Sequence, residues 1–358
     1  MKNKDTKGTF LSLVRSGIGH TASHLPKEID WNITRRLAEE QGLSAIVLDG
    51  IDRLPTDNRP SQKDLLDWIG DVLQNYENRY EQYCKSVSDL ASLYGTHGFR
   101  MMVLKGYACS LNWPKPNHRP CGDIDIWLFG RQKEADSILA NKNNIIIDNG
   151  HHHHTVFNWR NFTVENRFDF VNVYAHKSSK RLEKLFKEHG QDDTYYIELY
   201  GNRVYLPSPN LHALFLIRHL QTHFAAEGAT LRQLMDWGFF VKHYKKDVDW
   251  SWLEGVLSEY GMMDVYNIFN AICVEDLGFS SDLFTRVQFN PDLKDRVLDD
   301  IITPEYSLDL PNNLVKRALY KYRRWKGNAW KRSLCYKESS WCEFWTGLWG
   351  HLVKPSSF

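Results

Sequence analysis

The stretch RPCGDIDIWLF, residues 119–129, decides the fold. Ile124, Ile126, Trp127, Leu128 and Phe129 read as a buried strand, with Asp123 and Asp125 in its first half. Side chains alternate along a strand, so the two carboxylates share one face, roughly 6–7 Å apart. Burying one uncompensated carboxylate is costly, and two on one face more so. Positive charge from metal ions or from Lys and Arg is therefore expected beside them. An Asp-x-Asp triplet also occurs at solvated strand ends, but here the neighbours are Ile and Trp.

Upstream, RMMVLKG (100–106) reads as a strand stopped by Gly106. YACSLNW follows as a short helix, and PKPNHRPCG as a loop. A glycine lets phosphate approach the backbone, and a helix start attracts anions. Lys105 adds a point charge and Arg119 a planar fork, both suited to polyphosphate. The plainer alternative for Lys105 and Arg119 is pairing with the nearby Asp residues. Downstream, TVENRFDF offers a third acid. Glu165 and Asp169 have the same parity, so an uninterrupted strand puts both on one face, with Arg167 between them. One would complete a metal shell and accept a proton from an attacking hydroxyl, and the other would pair with Arg167. The Asp123–Asp125 spacing suits carboxylates that share Mg²⁺ or Mn²⁺, including two ions about 3.5–4 Å apart. Mg²⁺ keeps water and phosphate oxygens among its ligands, so few carboxylates suffice.

The chain of 358 residues is long enough for two or three domains. Net charge is +1, so no global field attracts nucleic acid and any anion site must be local. Six scattered cysteines without a Cys-x-x-Cys argue for reduced thiols, no structural zinc and a cytoplasmic setting. Neither a signal peptide nor an apolar run of about 18 residues is expected. Helical periodicity dominates residues 1–95, including a run from Ser61 to about Leu93. A strand-rich core follows over 96–206. It contains a short strand at NIIID, two strands meeting near Arg160-Asn161, and a hairpin turning at Gly201-Asn202. Residues 207–310 are helical, with Ser208 as a cap and Pro209 at the first helical position. Residues 311–358 form a basic, Trp-rich tail.

VLKGYACSLNWPKPNHRPCGDIDIWLF resembles the uncharacterised nucleotidyltransferase family of the DNA polymerase β-like superfamily. The resemblance covers about residues 60–280, including LRQLMDW. It implies an α+β fold: a nucleotidyltransferase-like mixed sheet with flanking helices, an N-terminal helical segment and a C-terminal helical domain closing the cleft. It maps the Gly turn to Gly106 and the metal-binding pair to Asp123 and Asp125. HHHHTVF…FTVENRF is similar to the family's third-acid region, which favours Glu165 over Asp169. Arg167 stands where the family often has His, and Gly106-Tyr107 where the wider superfamily often has Gly-Ser or Gly-Gly. The helical domain would add nucleotide contacts at Arg232 and Asp236, although their spacing of four also suits an intrahelical pair.

The expected reaction is metal-dependent transfer of a nucleoside monophosphate from a nucleoside triphosphate to an acceptor, with release of pyrophosphate. The acceptor is a small molecule or a protein hydroxyl, long nucleic acid being disfavoured by the neutral charge. The competing readings are a non-catalytic nucleotide-binding module, an Asp-x-Asp glycosyltransferase, and a peripheral membrane or scaffold protein acting through its tail. His219 and His223 have the spacing of a metal clamp but read better as helix packing. Of His151 to His154, alternation lets only part of the run face a site. Trp341, Trp345 and Trp349 form one helical stripe.

Overall fold

The computed structural model describes residues 2–20, 25–26, 28–174, 176, 178–191, 194–226, 228–306 and 312–337. The Trp341, Trp345 and Trp349 stripe lies outside them.

The helices are α1 (Lys2–Gly17), α2 (Trp31–Glu40), α3 (Ser44–Asp52), α4 (Gln62–Val72), α5 (Arg79–Thr96), α6 (Tyr107–Ser110), α7 (Gln132–Asn143), α8 (Ser179–Gln191), α9 (Pro209–Ala226), α10 (Leu231–Tyr244), α11 (Trp250–Glu259), α12 (Met263–Glu275), α13 (Pro291–Ile302), α14 (Leu314–Gly327) and α15 (Ala329–Cys335). The strands are β1 (Met102–Val103), β2 (Ile124–Trp127), β3 (His154–Trp159), β4 (Phe162–Arg167), β5 (Tyr196–Leu199) and β6 (Asn202–Tyr205). They form one mixed sheet in the order β3-β4-β2-β1-β6-β5. β2 runs parallel to β4 and antiparallel to β1, and β1 runs parallel to β6. This is the α+β arrangement expected from the sequence. The NIIID segment contributes only an isolated bridge, Asp148 to Val156, rather than a strand.

Alternation along the central strands divides the apolar residues between two cores. Val103, Ile124, Ile126, Leu128 and Val164 pack with Tyr83, Val87 and Leu90 of α5 and Leu139 of α7. Met102, Leu104, Trp127 and Phe129 point the other way, into a larger core with α8 to α12 and the N-terminal helices. Trp127 is fully buried there, against Phe129 and Phe170. Such a side chain contributes about 1.5–3 kcal/mol through burial. Asp125 has the parity of Trp127 and therefore faces the helices, not solvent.

Two contacts bring the helical segments to the sheet. The Gln41 side chain accepts the Leu231 N–H at 2.8 Å and donates to the Ile301 carbonyl at 3.0 Å, tying the end of α2 to the start of α10 and to α13. The segment between α4 and α5, Leu73–Asn78, widens into a π-helical turn. Its Glu77 meets His118 at 3.1 Å, and His118 also meets Asp49 at 2.8 Å. The loop leading to β2 is thereby pinned from outside. No helix among the described residues is long and apolar enough to cross a membrane.

Candidate active site

Asp125 and Glu165 are direct partners across the parallel β2–β4 pair. Asp123 lies one residue before β2, and Lys105 follows β1 just before Gly106. Gly106 has φ of +57°, a left-handed conformation that favours glycine. A β-carbon there would also collide with the Tyr83 hydroxyl, which donates to the Asp123 carbonyl at 3.1 Å. The glycine thus serves the close approach of α5, while its backbone lines a cavity with Asp123 and Asp125.

Asp125 is 3% exposed, and its charge is met from two sides. Lys105 Nζ lies 2.9 Å from Oδ2. Arg167 donates to Oδ1 through Nε at 3.0 Å and Nη2 at 2.7 Å. Nη2 also donates to Glu165 Oε2 at 2.7 Å. Burial raises the Asp125 pKa, but Lys105 and Arg167 outweigh it and hold the group ionised, well below the usual range. Glu165 goes the other way, because burial and the negative charge of Asp125 raise it. Asp123 is also raised, first by burial and then by Asp125. Among the described residues it makes no ion pair.

The donor chemistry suits a divalent cation: three carboxylates on or beside two adjacent strands stand where two cavities adjoin, Asp123 and Asp125 bordering the smaller and Asp123 and Glu165 the larger. They are not gathered around a ready cation position. Among the described residues no group of three or more His, Cys, Asp or Glu side chains is so placed. Lys105 and Arg167 supply the positive charge instead, so a metal ion competes with these side chains for Asp125 and Glu165.

Two adjoining cavities open around this cluster. One, of about 140 Å³, is lined by Gly106, Asp123, Asp125 and Gln233. The other, of about 430 Å³, is lined by Glu165, Arg167, Arg218 and His223. Lys105, Asp123, His219, Arg232 and Gln233 border both. His219 Nε2 accepts from Lys105 Nζ at 3.3 Å, and burial followed by the Lys105 charge keeps the imidazole neutral. His223, one turn on, is depressed to about 4, first by burial. Their spacing of four presents both rings to the cavity. His153 and His154 also reach the larger cavity, so half of the His run faces it.

Three expectations need correction. Asp169 does not join the cluster: β4 ends at Arg167, the Phe168 and Asp169 N–H groups both donate to the His153 carbonyl, and Asp169 pairs with Lys187. The partner of Arg167 is Glu165 together with Asp125. The intrahelical Arg232–Asp236 pair does not form either. Asp236 is held by Arg119 in a two-pronged pair, Nε to Oδ1 at 2.7 Å and Nη2 to Oδ2 at 2.8 Å, with Trp113 Nε1 adding 2.8 Å to Oδ1. Arg119 borders the smaller cavity, but its fork is committed to tying the β2 loop to α10.

Arg232 is left without an ion pair among the described residues. Burial first, then repulsion from Arg119, lowers its pKa. Arg218 was not singled out from sequence, although a lone Arg within LFLIRHL is a legible signal. It is 4% exposed. It donates to Gln221 and, more loosely, to Ser179.

The model of a family described as uncharacterised nucleotidyltransferase matches residues 27–275. Among solved structures, an antigenic nucleotidyltransferase-like protein from Paracoccidioides brasiliensis is similar at 14% identity with a TM-score of 0.35, over 56% of this chain and 95% of that one. No curated protein matches the chain. The family match spans the acidic strands and α2 to α12. It supports a general nucleotidyltransferase role: the chain belongs to the uncharacterised nucleotidyltransferase family.

Proposed function

We propose that the protein transfers a nucleoside monophosphate from a nucleoside triphosphate to a hydroxyl acceptor. The acceptor oxygen attacks the α-phosphorus, the bond to the β-phosphate oxygen breaks, and pyrophosphate leaves. The observation that carries this reading is the register of Asp125 with Glu165 beside Asp123, Lys105 and the Gly106 turn, where the two cavities adjoin. Asp123, Asp125 and Glu165 are the residues that would hold Mg²⁺ or Mn²⁺. When bound, the ion would screen the charge of the phosphates.

Lys105 and Arg232 border the smaller cavity and offer positive charge to the phosphates there. Glu165 takes the proton of the acceptor hydroxyl. Its raised pKa, caused first by burial, makes it a stronger base near neutrality than an exposed carboxylate. Positioning and charge stabilisation supply most of the acceleration in such reactions. Asp125→Asn is expected to lower turnover on the order of a thousandfold, about 4 kcal/mol. The test is incubation of wild type and variant with labelled triphosphates, divalent metal and cell extract. Equal labelling by both would refute the assignment.

A second reading, contact with an anionic membrane surface, has one observation in its favour. Val315, Leu319 and Tyr322 of α14 are exposed on one face, and Lys316, Arg323 and Lys326 flank them. The helix carries no acidic residue. An apolar stripe bordered by basic residues suits an anionic bilayer. Flotation with anionic liposomes is expected to be lost in Leu319→Glu, with transfer activity retained.

A further inference from the structure

We infer that the larger cavity is the acceptor subsite and that Arg218 selects an acceptor carrying an anionic group, a phosphate ester or a carboxylate. This rests on the transferase reading above and names the substrate class for it. The two cavities differ in which part of the reaction they border. Gly106 and Asp125 line only the smaller one, while Glu165, the proton acceptor, lines only the larger one. A hydroxyl that gives its proton to Glu165 therefore enters from the larger side.

That side is built around an uncompensated charge. Arg218 lies on α9, 96% buried by its 4% exposure, and no carboxylate pairs with it among the described residues. Nη1 donates to the neutral Gln221 at 3.0 Å, Nη2 reaches Ser179 Oγ at 3.4 Å, and Nε has no hydrogen-bond partner. The guanidinium also stands 5.1 Å from the centre of the Tyr336 ring. Two other buried guanidinium groups are matched: Arg119 by Asp236, and Arg167 by Asp125 and Glu165. A buried cation that borders a cavity, with neutral partners and an unmatched Nε–H, is energetically incomplete until an anion arrives. The guanidinium fork matches the paired oxygens of phosphate or carboxylate. The remaining acids of this cavity, Asp123 and Glu165, lie in the cluster with Lys105 and Arg167. A cationic acceptor would meet Arg218 and Arg232 unscreened, which excludes that class.

The test uses the full chain and calorimetric titration with inorganic phosphate, glucose 6-phosphate, glucuronate and glucose. Glucose 6-phosphate or glucuronate is expected to bind at least tenfold more tightly than glucose. Preference for the first assigns a phosphate ester and preference for the second a carboxylate. Arg218→Gln is expected to abolish that preference and to remove one phosphate site, while leaving nucleoside triphosphate affinity unchanged. Arg218→Lys, which keeps the charge and guards against misfolding of the Gln variant, is expected to bind the anionic probes several-fold more weakly than wild type. Equal affinity for anionic and neutral probes, or anion binding unaltered in both variants, would overturn the inference and leave the transferase reading standing. Arg218-dependent anion binding without any triphosphate binding would instead sink the transferase reading and keep the anion subsite.

Discussion

Two buried arginine clusters flank the adjoining cavities and behave oppositely. Arg119 and Asp236 form a one-to-one pair with both carboxylate oxygens engaged and Trp113 filling the remaining demand. Around Arg167 the ratio is two acids to two cations, with Asp123 at the edge and open space beside it. A saturated pair has nothing to offer a ligand and fixes geometry. A cluster whose oxygens are shared among side-chain cations can exchange partners. The difference separates architecture from chemistry within one pocket wall.

The largest expected effect outside Asp125 falls on the saturated pair. Asp236→Ala leaves the Arg119 guanidinium buried and unpaired, which costs about 3–5 kcal/mol. Urea denaturation measures it, and Mg²⁺ is expected to restore none of the loss. Arg167→Gln is expected to cost less, about 2–3 kcal/mol, since Lys105 still meets Asp125. Here Mg²⁺ is expected to recover part of the melting temperature, and more than it raises wild type, because the ion then replaces a missing positive charge. Equal Mg²⁺ response in the two variants would erase the contrast.

The contrast was only half legible in the sequence. Strand parity, a local rule, put Asp123 with Asp125 and left Glu165 and Asp169 equivalent; the family resemblance, not parity, favoured Glu165. Asp169 escaped the rule because β4 ends at Arg167 and the chain bends onto the His153 carbonyl. Local spacing suggested Arg232 with Asp236, yet the partner that won is 117 residues away. Nothing in the LRQLMDW segment reports that distant fork. Similarly, the Gly106 conformation was legible as a turn, but the approach of Tyr83 that demands it comes from a helix packed across the sheet. The amphipathic segment SKRLEKLFKEHGQ, which forms α8, was readable and passed over. Arg218 was passed over too, although it is the one Lys, Arg, Asp or Glu in the apolar run LFLIRHL.

His212 probes the saturated side by pH. It is 3% exposed, against Phe240, and its pKa is lowered to about 4. Burial is the main cause, and Asp236 and Arg119 act in opposite directions upon it. With the folded pKa below the unfolded value near 6.5, the unfolded chain binds more protons between the two. Its contribution is therefore present above pH 6.5 and lost as pH falls toward 4. At pH 5 the loss is roughly 2 kcal/mol relative to pH 7. His212→Phe is expected to flatten the stability profile by that amount in chemical denaturation at the two pH values. An unchanged slope would mean that the neutral pair around it does not leave burial in control.

The smallest effect tests whether the N-terminal segment reaches the chemistry. Gly42 has φ of +65°, and a β-carbon there would lie 3.2 Å from Arg232 Cδ. Its neighbour Gln41 accepts the Arg232 N–H through its carbonyl. Gly42→Ala therefore costs about 1 kcal/mol of backbone strain and presses on the stem of the one guanidinium shared by both cavities without a carboxylate partner. With Arg232 offering charge to bound phosphates, as proposed above, the change is expected to raise KM for the triphosphate several-fold with kcat nearly unchanged, the signature of lost ground-state binding. Gly201→Ala, also at positive φ but at the β5–β6 turn with open space around it, carries the same strain far from Arg232. Comparable KM in the two variants would detach the N-terminal helices from the site, whereas a rise confined to Gly42→Ala would make them part of the wall that positions Arg232.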